Sequence, residues 1–432
     1  MTTAPTTNPG DTAWLLVSTA LVLLMVPGLA LFYGGLVRGR AALNTLMMSF
    51  GALAIVGVQW VVIGYSLAFG PGALLGTGTW IGLSGVGGAA GPYSPTVPHI
   101  AFASFQAMFA GITVAIISGA MVERMRFHVY AIFAIVWTTF VYDPLAHWVW
   151  STDGWLHKLG ALDFAGGTVV HIAAGTAALV AAIMVGRRSG LGRTPLRPHN
   201  LVFTLTGAGL LWVGWLGFNA GSALAADGVA ANALATTNAA AAAAMVTWLI
   251  IDSLRTGQAT AVGGATGAVA GLVAITPAAG YVTPLAGLAI GILAACASYA
   301  AIQLRNRTQI DDALDVFACH GVAGIVGALL TGVFATTSVN PAGANGLLSG
   351  NVRLFGVQAL AVLVTIAFTA PVTAFVLGRL AAVGSLRVPL PDELTGVDLS
   401  EHGEHAYDDA EISTAVVDGV RIGESVVLTR VA

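Results

Sequence analysis

His171 and His320 each interrupt an uncharged, almost wholly apolar stretch, and each opens the same pattern, His-x-x-Ala-Gly, ending at Gly175 and Gly324. An ionisable side chain in hydrocarbon is costly, so by default it faces a substrate or ion pathway and pairs with another polar group. Desolvation favours the neutral imidazole, which donates from one nitrogen and accepts on the other. Two such rings facing one another share a proton and still offer a polar edge to a small solute. The chemistry implied is passage of a small polar species along a pore.

Other side chains fall where such a pore would need them. Asp163 stands slightly more than two helical turns before His171 and so shares roughly its face. Asp is a preferred helix cap, and a capping carboxylate also sets a negative potential near a cation. Phe105 and Phe109 are one turn apart, Trp215, Phe218 and Ser222 share a face of another segment, and Trp150 closes a third. Single aromatics mostly pack cores or sit in interface belts. Several aromatics with one hydroxyl form a cage that replaces part of the hydration of a small cation with π faces and one oxygen. A metal enzyme is the weaker reading, because zinc needs three good ligands and no His-Glu-x-x-His occurs. Cys319 points about 100° away from His320 on a helix. Neither a metal nor a cofactor is expected.

These groups must be held by elements suited to a bilayer. With 56% hydrophobic and 9% charged residues and a mean hydropathy of +0.84, the chain falls far from soluble globules, of which about a quarter is charged. Apolar runs near the length that crosses hydrocarbon recur at about 12–36, 44–69, 100–122, 128–150, 164–186, 200–222, 232–251, 259–277, 281–303, 315–334 and 353–383. They are too long and too rich in Ala, Leu and Gly for barrel strands. An all-α polytopic bundle of eleven transmembrane helices is expected, its 55 glycines serving close helix packing. Cys296 and Cys319 both fall inside predicted helices and give no disulfide framework.

Arg38, Arg40, Arg124, Arg126, Arg187, Arg188, Arg255, Arg305 and Arg379 lie at alternate connections, whereas Lys158 and Arg353 lie in the others. The positive-inside rule then puts the N-terminus outside and the C-terminus in the cytoplasm. The first apolar stretch lacks a basic flank and reads as a retained helix. Helices one to five and six to ten are expected as inverted repeats that bring His171 and His320 to one midplane locus, with the eleventh as an outer brace. Leu-Asp pairs, Leu162-Asp163 and Leu314-Asp315, precede both histidines. The uncharged Gly70–Pro98 connection reads as either a structured cap or a mobile loop. A membrane domain over 1–388 and an acidic tail over 389–432 divide the chain. That tail should project into water, fold on the basic loops or meet a protein partner.

Longer motifs carry a resemblance. Gly160-Ala-Leu-Asp-Phe-Ala-Gly-Gly-Thr-Val-Val-His171, Pro198-His-Asn200, Gly214-Trp-Leu-Gly-Phe-Asn-Ala-Gly-Ser222, Asp311-Asp-Ala-Leu-Asp-Val-Phe-Ala-Cys-His-Gly321 and Phe105-Gln-Ala-Met-Phe109 resemble signatures of the Amt/Mep/Rh ammonium transporter family. The resemblance implies a bacterial inner (plasma) membrane homotrimer with one ammonium or ammonia pore per subunit. It implies that Trp150, Phe105, Phe109, Ser222 and Asp163 serve external recruitment, Phe109 and Phe218 form a gate, and His171, His320 and Trp215 line the pore. Trp150 together with Ser222 points to the Amt branch. Leu386-Arg-Val-Pro389, Gly396-Val-Asp398 and His402-Gly-Glu-His-Ala-Tyr407 resemble the tail through which bacterial members meet a PII-type nitrogen-signalling protein. No nucleic acid is implied. The rival reading is an ammonium sensor whose output runs through the tail.

Overall fold

The computed structural model describes residues 6–193 and 196–407. The apolar stretches are the helices α1 Pro9–Leu36, α2 Gly39–Phe69, α3 His99–Ser118, α4 Phe127–Leu159, α5 Gly167–Val185, α6 Leu201–Gly221, α7 Gly228–Thr256, α8 Ala261–Ile275, α9 Pro284–Arg305, α10 Phe317–Phe334 and α11 Val352–Val383. Among the described residues ten are long and apolar enough to cross a membrane, and α8 is apolar but shorter. Thr260 starts α8 by accepting the Gly263 N–H at 2.9 Å. The chain then leaves α8 through a buried turn, where the Pro277 carbonyl accepts the Phe164 N–H at 3.1 Å. Irregular backbone survives at membrane depth where protein surrounds it, which explains why the expected span ends early. α3 likewise stops at Ser118 and passes through buried turns to Glu123, whose φ is 70°.

The Gly70–Pro98 connection is a structured cap. It carries a short hairpin, β1 Ala90–Gly91 and β2 Ser94–Pro98, and its Tyr93 ring stacks on Phe102 of α3 at 4.9 Å and 9°. Aromatic burial therefore anchors a segment without formal charge.

The helices carrying the histidines, α5 and α10, run antiparallel. Arg188, just beyond the end of α5, meets Asp311, just before α10. Both histidines sit in π-helical turns, Gly167–Ile172 and Phe317–Val322, and such bulges are frequent where a helix must present a functional group. The repeated glycine has a physical reason. A Cβ on Gly175 would collide with the Gly321 backbone, and one on Gly324 would lie 3.3 Å from His171 Cβ. Since each glycine is one turn past its histidine, the two helices cross on the faces that carry the imidazoles.

The end of the bundle that holds most arginines is tied by buried ion pairs. Glu123 accepts from Arg38 at 3.0 Å and from Arg188 at 3.3 Å, while Arg188 also meets Asp311 at 2.9 Å. Arg124 donates to the carbonyls of Ala120, Val122, Gly186 and Asp311. The acidic tail packs on this same end. Asp398 accepts the N–H groups of Leu43 and Asn44 near the start of α2, at 3.1 and 2.7 Å. Glu401 accepts that of Phe127 at the start of α4 at 2.7 Å. Tyr407 meets His199 at 2.7 Å. Two helix N-termini thus receive carboxylates where free N–H groups and the helix dipole favour negative charge. Residues 408–432 lie outside the described residues.

Burial alone would raise the pKa of Glu123 and of Asp311, but their arginine partners, chiefly Arg188, outweigh it and hold both below the usual carboxylate range. Their contribution to stability is therefore present above the ordinary carboxylate pKa of about 4 and is lost as pH falls through the depressed values. Arg188→Met leaves two buried carboxylates short of a partner and should cost about 3–5 kcal/mol. Melting of the detergent-solubilised protein against pH checks this: the variant's deficit should be largest near neutral pH and shrink as pH falls and the unpaired carboxylates protonate.

Candidate functional site

At the opposite end of the bundle, a cavity of about 130 Å³ is lined by Tyr93, Phe102, Phe109, Trp150, Phe164 and Ser222, among others. Trp150 Nε1 donates to the Asp163 carbonyl at 2.9 Å, which fixes the indole. The Ser222 hydroxyl donates to the Phe218 carbonyl at 2.9 Å, leaving oxygen lone pairs free to accept. A wider cavity of about 520 Å³ shares Trp150, Phe164 and Ser222 with it and adds His157, Asp163 and Asp227.

Asp163 behaves as a cap of unusual density. Its carboxylate accepts N–H groups from Gly166 at 2.9 Å, Gly167 at 2.5 Å, Thr168 at 2.9 Å and Val169 at 3.3 Å, together with the Thr168 hydroxyl. Gly166 at φ 109° allows the tight turn that aims these donors inward. Burial pushes the Asp163 pKa up, opposed by the bonds from Thr168, Val169 and Gly167. All of these donors are internal, so Asp163 shapes the cavity wall and its potential.

The cavity floor is a pair of rings. Phe109 stacks on Phe218 at 4.0 Å and 21°, and Trp150 stands edge-on to Phe109 at 6.0 Å and 88°. Phe105 does not line the cavity. It is fully buried behind Phe109, edge-to-face at 4.8 Å.

Below the rings lies a narrow apolar space of about 10 Å³, lined by Ile112, Leu211, Trp215, Phe218, His171 and His320 among others. That is room for about one water-sized solute. His171 and His320 face each other with Nδ1 atoms 3.3 Å apart and rings 28° from parallel. Trp215 stacks on His171 at 5.3 Å and donates its Nε1 to Thr276 at 2.8 Å. Among the described residues, His171 Nε2 is buried without a partner. His320 also lines a third cavity of about 330 Å³ toward the basic end, with Cys319, Asp252, Asp315 and Arg188. The narrow space shares His320 with the cavity toward the basic end and is separated from the Trp150 cavity by the Phe109–Phe218 stack, so the three mark one path, wide at both ends and narrowest between stacked rings and paired imidazoles.

Comparison with known proteins decides the class. A family model described as Ammonium Transporter Family matches residues 13–407. The chain belongs to the ammonium transporter family. An ammonium transporter of Bacillus subtilis (strain 168) is 48% identical over 93% of this chain and 99% of its own length. The crystal structure of Candida albicans Mep2 superposes with a TM-score of 0.84 at 37% identity, covering 93% of this chain and 90% of that one. The solved structure of a Sensor Amt Protein reaches 0.84 at 30% identity, covering 91% and 98%.

Two features of this ammonium transporter family member were not drawn from its sequence. The carboxylate that starts α10 is Asp312, which accepts the Phe317 N–H at 2.7 Å. Asp315, the partner in the Leu-Asp pair, instead meets Arg305 at 2.7 Å. The available signal was spacing, since Asp312 precedes His320 by the same interval as Asp163 precedes His171. Burial, with Asp315 nearby, pushes the Asp312 pKa up to about 6. The second feature is Gln106, which lines the Trp150 cavity. Phe102, Gln106 and Phe109 recur at helical spacing on one face of α3.

Proposed function

We propose that the chain moves ammonium across the plasma membrane by recruiting the cation outside, removing its proton near the stacked rings and passing ammonia along the histidine pair. The observation that carries this reading is the pairing of His171 and His320 in a tight apolar space between two wider cavities. The N-terminus is outside, the Trp150 cavity opens outward and the basic end faces the cytoplasm. Trp150, Phe109 and Ser222 hold the cation, Phe105 backs Phe109, and Asp163 keeps the wall in place. Phe109 and Phe218 act as the gate.

Magnitudes require the deprotonation. A cation–π contact supplies about 0.5–2 kcal/mol, whereas a bare charge at mid-membrane costs about 3 and upward. The cage recruits ammonium but does not carry it across. The freed proton follows through the imidazoles: His171 takes it at Nε2, gives the Nδ1 proton across the 3.3 Å contact, and His320 releases one toward the lower cavity. Trp215, stacked on His171, keeps that ring upright. The subunits form a homotrimer, and the tail docked on the basic end is where a PII-type signalling protein would alter the cytoplasmic side. The likeness to a Sensor Amt Protein supports sensing as the second reading.

Uptake by the purified chain alone in liposomes tests the assignment. Trp150→Leu is expected to raise the half-saturating ammonium concentration by about 2- to 30-fold, the worth of one cation–π contact. Absence of flux in the unmodified chain would favour the sensor. An unshifted half-saturation point in the variant would remove the recruitment role of Trp150.

A further inference from the structure

Gln106 has no part in the roles assigned so far, yet it holds an unusual position. It is 9% exposed, lines the recruitment cavity beside Phe109, Trp150 and Ser222, and its Oε1 is buried without a hydrogen-bond partner among the described residues. Among the described residues its amide nitrogen has no partner either. A buried amide oxygen that bonds to nothing costs stability, and the fold offers no structural return for it. The neighbouring polar groups do not need it, because the Ser222 hydroxyl donates to the Phe218 carbonyl and the Tyr93 hydroxyl to the Phe69 carbonyl.

We infer that Gln106 is a second acceptor for the recruited cation, its Oε1 taking one N–H of ammonium while Ser222 Oγ takes another. Ammonium carries only donors, and its tetrahedral N–H groups need acceptors in more than one direction. One serine oxygen and two ring faces leave at least one N–H without a strong acceptor. Rotation about the last side-chain bond exchanges the amide oxygen and nitrogen in place, so the carbonyl turns to the ion without moving the backbone. The carbonyl oxygen is thus left unpaired in the empty protein and takes its partner from the substrate. Hydrogen bonds to a charged group are stronger than neutral ones, so the second acceptor adds to the affinity for the cation.

The inference rests on the recruitment reading of this cavity. Its test is ammonium uptake and thermal melting of the reconstituted full chain carrying Gln106→Met, Gln106→Glu or Ser222→Ala. Gln106→Met is expected to raise the half-saturating ammonium concentration about tenfold with little change in saturating rate. Its melting temperature without substrate should be no lower than that of the unmodified chain, because an unpaired amide has been replaced by an apolar group of similar shape. Ammonium should raise the melting temperature of the unmodified chain more than that of Gln106→Met. Gln106→Glu, which keeps an acceptor, should hold half-saturation within about threefold of the unmodified value. An unchanged half-saturation point in Gln106→Met while Ser222→Ala raises it would overturn the role of Gln106 alone. A lower melting temperature in Gln106→Met, or equal losses in the Met and Glu variants, would show a structural residue. If neither Gln106→Met nor Ser222→Ala moves half-saturation, the cavity is not the recruitment site and both readings fail.

Discussion

Gly175→Val is expected to abolish ammonium flux and to cost about 3 kcal/mol or more of stability. Overpacking a core by a methylene or two usually costs about 1–3 kcal/mol, because side chains can move aside. Here the obstacle is backbone. A Cβ on Gly175 meets the main chain of Gly321, next to His320, so relief requires α5 and α10 to separate at their crossing. That separation would lengthen the 3.3 Å contact between the imidazoles that the crossing sets. Flux into vesicles and melting in detergent check both halves of the expectation. Near-normal flux through Gly175→Val would show that the close crossing does not hold the histidine pair in register.

Replacing both histidines by alanine is expected to have the other large effect, loss of the proton-carrying path. The passage at this depth is lined by Ile112, Leu211, Trp215 and Phe218, which neither donate nor accept a proton in transit. Without His171 and His320 the narrow segment offers an uncharged solute more room and a proton no carrier. Neutral ammonia would still cross, while charge would not, since an unsolvated cation meets the full cost of the apolar interior.

Much of this arrangement was legible in the residues. Hydropathy located the eleven helices because a helix that crosses hydrocarbon needs about 20 apolar residues, and the shorter α8 continues into an apolar buried turn. Misjudged ends fall where the backbone turns inside protein, at Ser118 and around Pro277, and composition does not change there. His171 and His320 stood out because ionisable groups are rare in such stretches. The glycines after them were visible as a pattern, but their purpose, a close crossing of backbones, needed coordinates. Phe105 was grouped with Phe109 because one helical turn places two residues near one face, yet only the latter reaches the cavity. Leu314-Asp315 looked like the counterpart of Leu162-Asp163, but it lies in a different frame, and Asp312 makes the cap. The tail acids left three courses open, water, the basic loops or a partner, because the helix N-termini that receive Asp398 and Glu401 are far away in sequence.

The central claim is that the paired histidines carry charge through an otherwise apolar passage. Current from proteoliposomes given an ammonium pulse, comparing the unmodified chain with the His171→Ala, His320→Ala double variant, tests it most directly. A pH-sensitive dye inside the same vesicles reports neutral ammonia entry. The expected result is an ammonium current in the unmodified chain that disappears in the variant while the dye still reports ammonia crossing. An ion-selective current that persists in the variant would contradict a relay through the histidines.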